Sequence, residues 1–427
     1  MSGSLPFENR AFLSRRRPAA RALLAAAACA AVLACEALAS AALEEAGPAG
    51  DGEPAALRFT EVSAQAGLAF EHSLPDIQPF VEPLMMHSGL AAGDLDGDGD
   101  SDLIALRGPQ QGTALFRNRG DGTFEEISEG SGLELIGLWP MGVALADIDG
   151  DRDLDVFFGG VLNDEPRLFR NLGGFLFEDV TATSGFFSSE DTFSAAFADV
   201  DGDQDLDVFT THWAGNVDPL RPTNHLWLGA GDGTFRPVDE SAGISSLFQP
   251  TDWSFTPNWA DLDRDGDPDL LLATDFGGSA VLLNRGDGAF DVVTDEVISD
   301  ENGMGASVGD FDGDGHWDWF VSSIWDPDGV PEGNWGITGN RLYRGLGDGR
   351  FEDITERSGV RRGFWGWGSC AADFDLDRDL DLYHVNGFPP LIASEFFEDP
   401  ARLFLNDGAG VFTERSEQAG VDDPGQG

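Results

Sequence analysis

Gly93-Asp94-Leu95-Asp96-Gly97-Asp98-Gly99-Asp100-Ser101-Asp102-Leu103 places a carboxylate at every second position and runs straight into the apolar stretch Leu103–Leu106. The same D-x-D-x-D-x-x-x-D phrase begins again at Asp147, Asp199, Asp261, Asp310 and Asp373. With position seven included, the six sets are Asp94, Asp96, Asp98, Asp100 and Asp102; Asp147, Asp149, Asp151, Asp153 and Asp155; Asp199, Asp201, Asp203, Asp205 and Asp207; Asp261, Asp263, Asp265, Asp267 and Asp269; Asp310, Asp312, Asp314, His316 and Asp318; and Asp373, Asp375, Asp377, Asp379 and Asp381. Like charges this close repel, by about 1 kcal/mol for one pair at about 4 Å in bulk water. A hard cation among them removes that cost. Ca²⁺, which takes roughly six to eight oxygens, suits so dense an all-oxygen set. The expectation is about six Ca²⁺, one per loop.

An EF-hand is excluded, because that motif needs a bidentate Glu at position twelve and helices on both sides. The twelfth positions here are Ala105, Phe158, Thr210, Leu272, Val321 and His384, and the flanks are strand-like. Position seven carries His316 in the fifth loop, and imidazole is a poor ligand for Ca²⁺. That position is therefore expected to offer its backbone carbonyl, with side-chain ligands at positions one, three, five and nine. In the sixth loop Leu376 and Arg378 stand where the other loops mostly have at least one glycine.

Working outward, the first aspartates recur roughly every fifty to sixty residues, a period that points to propellers or arrays. Each unit opens with a small-residue strand such as Ser88–Gly93, Gly142–Ala146 or Ser194–Ala198. After the loop comes an apolar strand: Leu103–Leu106, Val156–Phe158, Val208–Thr210, Leu270–Ala273, Trp319–Val321 or Leu382–Val385. A third strand holds pairs such as Leu115-Phe116, Leu226-Trp227 and Leu403-Phe404. An Asp-Gly turn, a strong hairpin signal, leads into a fourth strand. Single helical turns ended by glycine are expected after it, as at Ser128–Gly132 and Ser416–Gly420. Four antiparallel strands per unit make one blade of an all-β propeller.

The unit looks like the FG-GAP/VCBS repeat of integrin-α-type propellers. The closing phrase Tyr343-Arg344-Gly345-Leu346-Gly347-Asp348-Gly349-Arg350-Phe351-Glu352-Asp353-Ile354-Thr355 further resembles the cartilage-acidic-protein group, often found with an ASPIC/UnbV module. The resemblance runs from Phe59 to Val421. It implies a seven-bladed Ca²⁺-binding propeller of exported or cell-surface proteins, used in adhesion or recognition, and no reaction. This chain departs from it. Phe59-Thr60-Glu61-Val62-Ser63-Ala64-Gln65-Ala66-Gly67-Leu68 repeats the fourth-strand phrase Phe412–Val421 without three strands before it. The expectation is six complete blades plus an orphan N-terminal outer strand, a seven-blade design with an incomplete last blade. The alternative is a closed six-bladed ring with the orphan strand on an outer edge. An open blade edge invites a partner chain or a further C-terminal segment to complete it.

Residues 1–42 differ in composition. Arg15, Arg16, Arg17 and Arg21 precede the apolar stretch Ala22–Cys35, and Ala37-Leu38-Ala39 offers a cleavage site, the layout of an export signal. Val32-Leu33-Ala34-Cys35 loosely resembles a lipobox, which would anchor the chain through Cys35; Ser14-Arg15-Arg16 faintly resembles a twin-arginine signal. Residues 43–57 read as a flexible leader and 58–427 as the propeller, in a secreted, periplasmic or cell-surface protein. The chain is 41% hydrophobic, enough for a large core, and its net charge of −52 excludes the basic footprint that nucleic acid demands. All 25 basic residues are arginine. Beyond Cys29 and Cys35 only Cys370 remains, expected as a small buried strand residue and unable to form an internal disulfide.

The long links after second strands carry His212, Trp213, Trp325, Trp335, Phe388, Phe396 and Phe397. Aromatics there suit a protein or glycan ligand, or else they pack between blades. Trp317 and Trp319 are expected in the core, and Glu71–His87 as a cap on the channel. A transition-metal site would need several of His72, His87, His212 and His384 to converge. The leading function is a non-enzymatic, Ca²⁺-dependent recognition or adhesion scaffold. The alternatives are a Ca²⁺-dependent polysaccharide lyase or glycosidase, drawing on Asp252, Asp275, Asp326 or Glu395, and a structural subunit of an envelope complex.

Overall fold

A computed structural model describes residues 57–422 apart from 70, 73–87, 163, 188–190, 217–222, 249, 327–334, 388–395 and 397–398. The signal and leader expectations, Cys29, Cys35, His87, Phe388, Glu395 and Phe397 lie outside the described residues, as does most of Glu71–His87.

The chain is an all-β propeller of four-stranded blades, and the described strands form six antiparallel sets of four. First strands are Leu90–Gly93, Pro140–Ala146, Thr192–Ala198, Thr251–Ala260, Ala306–Gly309 and Gly366–Ala372. Second strands are Asp102–Leu106, Asp155–Gly160, Asp207–Asn216, Asp269–Thr274, Asp318–Val321 and Asp381–Asn386. Third strands are Thr113–Asn118, Arg167–Asn171, Leu226–Gly229, Ala280–Asn284, Arg341–Gly345 and Arg402–Asn406. Fourth strands are Phe124–Glu126, Phe177–Asp179, Phe235–Pro237, Phe290–Val292, Phe351–Asp353 and Phe412–Glu414. Each fourth strand buries its phenylalanine and exposes the next two residues, as an outer edge does.

The core lies between neighbouring sheets, and the period-two alternation of strands decides which side chain goes where. On the second strand of unit 2, Val156 and Phe158 face Ile104 and Leu115 of unit 1, whereas Phe157 faces Val208 and Trp227 of unit 3. The same division places Phe209 against Leu270 and Leu282, Leu271 against Trp319 and Tyr343, and Phe320 against Leu382 and Phe404. Burying each such side chain contributes about 1.5–3 kcal/mol. First strands of successive units pack side by side from Leu90–Gly93 through Gly366–Ala372.

Single helical turns follow the fourth strands at Thr181–Ser184, Asp239–Ala242, Thr355–Ser358 and Ser416–Ala419, each ended by a left-handed glycine. The turn expected at Ser128–Gly132 is not helical, because Gly130 takes φ +82° in its middle. These terminal glycines also make the inter-unit seams: a Cβ on Gly185 would stand 2.6 Å from the Phe235 carbonyl oxygen of the next unit, and one on Gly132 2.3 Å from that of Phe177.

The N-terminal segment repeats this seam. Phe59 donates its N–H to Ala419 O at 2.8 Å, its carbonyl lies beside Gly420, and its ring meets Phe374 edge-on. A turn follows at Ser63–Ala66, and a Cβ on its terminal Gly67 would stand 2.4 Å from Phe124 O of unit 1. Leu68 packs on Leu103, Ala105 and Phe116. The segment therefore occupies a fourth-strand place between units 6 and 1. Phe59–Glu61 is not a regular strand there; no described third strand lies beside it to complete a ladder.

Several expectations change. The second strand of unit 3 runs to Asn216 because it pairs across the seam with Thr251–Ala260 of unit 4, so His212 and Trp213 lie on a strand. His212, His384 and Phe396 are buried, and Trp213, Trp335 and Phe396 pack into one apolar cluster with Met141, Phe193, Phe255 and Trp365. Trp325 lies under the Arg361 guanidinium. Trp319 is in the core, but Trp317 is 45% exposed, since it precedes the buried Asp318 and alternation turns it outward. Cys370 is half-buried on its strand and in no disulfide.

Candidate metal centre

Each aspartate loop joins a first strand to a second, and its own carboxylates fold it. The position-one carboxylate accepts the position-six N–H at 2.9–3.2 Å in all six loops. The position-five carboxylate accepts the position-seven N–H at 2.9–3.1 Å. Positions four and six are left-handed throughout, including Leu376 (φ 63°) and Arg378 (φ 85°) in the sixth loop. A side chain in that conformation costs about 1–2 kcal/mol, so this loop keeps its shape against strain.

Position nine does separate work. Its first oxygen accepts the N–H of the last third-strand residue at 2.8 Å in every unit: Asn118, Asn171, Gly229, Asn284, Gly345 and Asn406. Its second oxygen accepts the position-two N–H at 2.7–3.0 Å. Burial pushes Asp102, Asp207 and Asp269 up to about 6 and Asp155, Asp318 and Asp381 up to about 7, against the lowering effect of those two donors. Position nine thus staples loop to sheet, with lone pairs left over for an ion. Position seven stands apart from the cage: its side chain lies over the glycine of the turn after the third strand, as Asp100 does at Gly120 and His316 at Gly347.

The cage is built by positions one and three, joined by position nine in loops 1, 2 and 5 and by position five in loops 3 and 4. Oxygens of Asp94, Asp96 and Asp102, of Asp147, Asp149 and Asp155, of Asp199, Asp201 and Asp203, of Asp261, Asp263 and Asp265, and of Asp310, Asp312 and Asp318 lie within 4.8 Å of one another in each set. Burial, with the facing position-five carboxylate adding to it, raises Asp96, Asp149, Asp201, Asp263 and Asp375 above the usual carboxylate range. Buried oxygens of Asp149, Asp201, Asp261 and Asp375 have no hydrogen-bond partner. Buried acceptors are ordinarily satisfied, and an all-carboxylate cluster supplies no donor of its own. These residues fit a hard cation.

Sequence reasoning missed a second titratable cluster. His225 Nδ1 stands 3.0 Å from Asp239 Oδ2 and its Nε2 2.8 Å from Asp252 Oδ2, with the ring stacked on Phe248. Burial alone would lower this imidazole, but the two carboxylates outweigh it and hold it at about 9. Asp252 is thereby committed, together with Ser254 Oγ at 2.8 Å. His212 lies 5.0 Å away, centroid to centroid, and is lowered to about 4 by burial and by His225. Both nitrogens of His225 are taken by carboxylates, which leaves no donor atom for a transition metal. Asp275 is held by Asn302 Nδ2 and Trp213 Nε1, and Asp326 is buried elsewhere in the link after Val321.

A family model for the FG-GAP-like repeat matches residues 94–158, 214–272, 261–321 and 326–384, more than half of the chain. Cartilage acidic protein 1 of Xenopus tropicalis is 35% identical over 191 residues, 43% of this chain and 28% of that protein. Its Homo sapiens counterpart is 28% identical over 338 residues, 71% of this chain and 48% of that protein. The chain spans about half the length, or less, of these curated relatives. Among solved structures, an Agrocybe aegerita lectin that recognises non-reducing terminal N-acetylglucosamine gives a TM-score of 0.48 at 20% identity, covering 77% of this chain and 79% of that one. The V. cholerae biofilm matrix protein Bap1 gives 0.32 at 17% identity, covering 62% and 38%. The chain belongs to the FG-GAP-like repeat family.

Proposed function

We propose that the protein is an exported, Ca²⁺-loaded propeller that acts as a non-enzymatic recognition or adhesion scaffold. One observation carries the metal assignment: carboxylate oxygens converge within 4.8 Å, and buried oxygens of Asp149, Asp201 and Asp261 in three of these sets have no hydrogen-bond partner. Ca²⁺ satisfies them at the seams where loop, second strand and third strand meet, so its binding energy is folding energy. Export rests on the arrangement of residues 1–42. The ligand, a protein or glycan, would bind on the blades; the loop aromatics of the described chain mostly serve packing.

Thermal unfolding in excess chelator and in millimolar Ca²⁺ tests the reading. One site held at about a hundred times its Kd adds about 2.7 kcal/mol, so several together should raise Tm by many degrees. Superimposable curves in chelator and Ca²⁺ would reject it.

A further inference from the structure

The residue just before the end of the third strand divides the six units. Units 1, 2 and 5 have Arg117, Arg170 and Arg344; units 3, 4 and 6 have Leu228, Leu283 and Leu405. Arg117 Nη2 stands 3.2 Å from Asp96 Oδ2 and 3.3 Å from Asp98 Oδ2. Arg344 contacts Asp312 through Nε and Asp314 through Nη2. These guanidiniums sit on the position-three carboxylate of the cage and on the position-five carboxylate. Arg170 is placed differently: its Nη2 bonds Glu178 at 2.7 Å, and its Nη1 is 3.9 Å from Asp149.

One further pattern follows the same division, and a second separates unit 2 from units 1 and 5. The cross-strand partner of each arginine on the fourth strand is a glutamate: Glu125, Glu178 and Glu352. The leucines face Arg236, Asp291 and Thr413. Unpartnered buried carboxylate oxygens occur in loop 2, whose arginine is turned away, and in loops 3, 4 and 6, which have leucine. Among the described residues, loops 1 and 5 have none. A seated guanidinium supplies the charge and donors that an ion would otherwise supply.

Resting on the Ca²⁺ reading above, we propose that Arg117 and Arg344 are latches: each neutralises its loop when Ca²⁺ is scarce, and Ca²⁺ must displace it onto Glu125 or Glu352, the parked position that Arg170 already shows on Glu178. Loops 1 and 5 then fill after the other loops. Displacing a charge-assisted pair should weaken these sites by about ten- to a hundredfold.

The experiment is Ca²⁺ titration of the full mature chain by calorimetry with direct metal counting, in wild type, in R117L/R344L and in E352Q. Leucine already occupies this place in three units, so the double variant uses a side chain the blade accepts. Wild type should bind in two classes, and R117L/R344L should move its weak class into the tight one. The double variant should also melt lower than wild type in chelator, having lost its counter-charges. E352Q removes a parked position and should weaken the weak class further. A single class in wild type, or weak sites unchanged in R117L/R344L, overturns the latch and leaves the Ca²⁺ assignment standing. No bound Ca²⁺ in wild type overturns both.

Discussion

Replacing Asn284 by alanine should destabilise the protein more than replacing Asn118, although both close the third strand beside an aspartate loop. Each side-chain amide bonds within its own unit, Asn118 to Ser101 O at 3.0 Å and Asn284 to Pro268 O at 3.2 Å. Each side-chain oxygen accepts a turn glycine N–H at 3.0 Å. Asn284 adds one bond, 2.8 Å to Val200 O, which crosses to position two of the loop in unit 3. Val200 is 1% exposed, so its carbonyl has no water to turn to once the amide is gone. An unsatisfied buried group costs about 1–3 kcal/mol, and N284A should exceed N118A by roughly that amount. Asn171 makes the same crossing to Leu95 O and Asn406 to Phe311 O, so N171A and N406A should behave like N284A. Urea denaturation in saturating Ca²⁺ measures the difference as a midpoint shift at constant slope. Equal losses in all four variants would refute the inter-unit bond as the source.

Two more outcomes follow from the seams. The Asp239–His225–Asp252 bridge holds its imidazole at about 9 against 6.5 unfolded, so its contribution is full below about pH 6.5 and is lost as pH rises through about 9. At about 1.4 kcal/mol per unit, the loss is on the order of 3 kcal/mol, and urea unfolding between these limits should show it in wild type and not in H225Q. Gly185→Ala should cost more than Gly174→Ala in thermal unfolding: both are left-handed, but a Cβ meets the Phe235 carbonyl at 2.6 Å at the first and open space at the second. Equal costs would show that the seam can yield.

The loops and the four-strand unit were legible because both signals are local. Alternating carboxylates, an apolar run and an Asp-Gly turn fall within a few dozen residues, and each copy repeats the others. What crosses between units was not legible. His225 stands alone in Thr223-Asn224-His225-Leu226, while its partners lie on the turn after the fourth strand and on the first strand of the next unit. The extension of Asp207–Asn216 likewise depends on pairing with Thr251–Ala260, a contact no local pattern announces. Asn171, Asn284 and Asn406 look like turn residues, and only the fold shows that their amides reach a neighbouring loop. The fourth-strand place of Phe59–Leu68 was readable by its likeness to Phe412–Val421, yet its irregular backbone was not, since strand pairing depends on what lies beside it.

The motif therefore carries two duties that sequence alone runs together. Positions one and three, with position five or position nine, bring their oxygens together in a cage that fits a hard cation. Position nine uses both oxygens on backbone donors, one in its own loop and one in the third strand, and is buried almost completely. A cation held by these carboxylates would draw on a loop whose base is already fixed, so little conformational freedom would remain to be lost on binding. The same fixation transmits strain the other way. When the cage is emptied of positive charge, its repulsion acts on a loop tied to its own sheet and, through Asn171, Asn284 and Asn406, to the neighbouring unit as well. Loops 1, 3 and 5 are the ones so tied across a seam, and loops 1 and 5 are the ones that hold an arginine in the cage. Where repulsion in the cage would strain two sheets at once, two of the three loops keep a positive charge of their own.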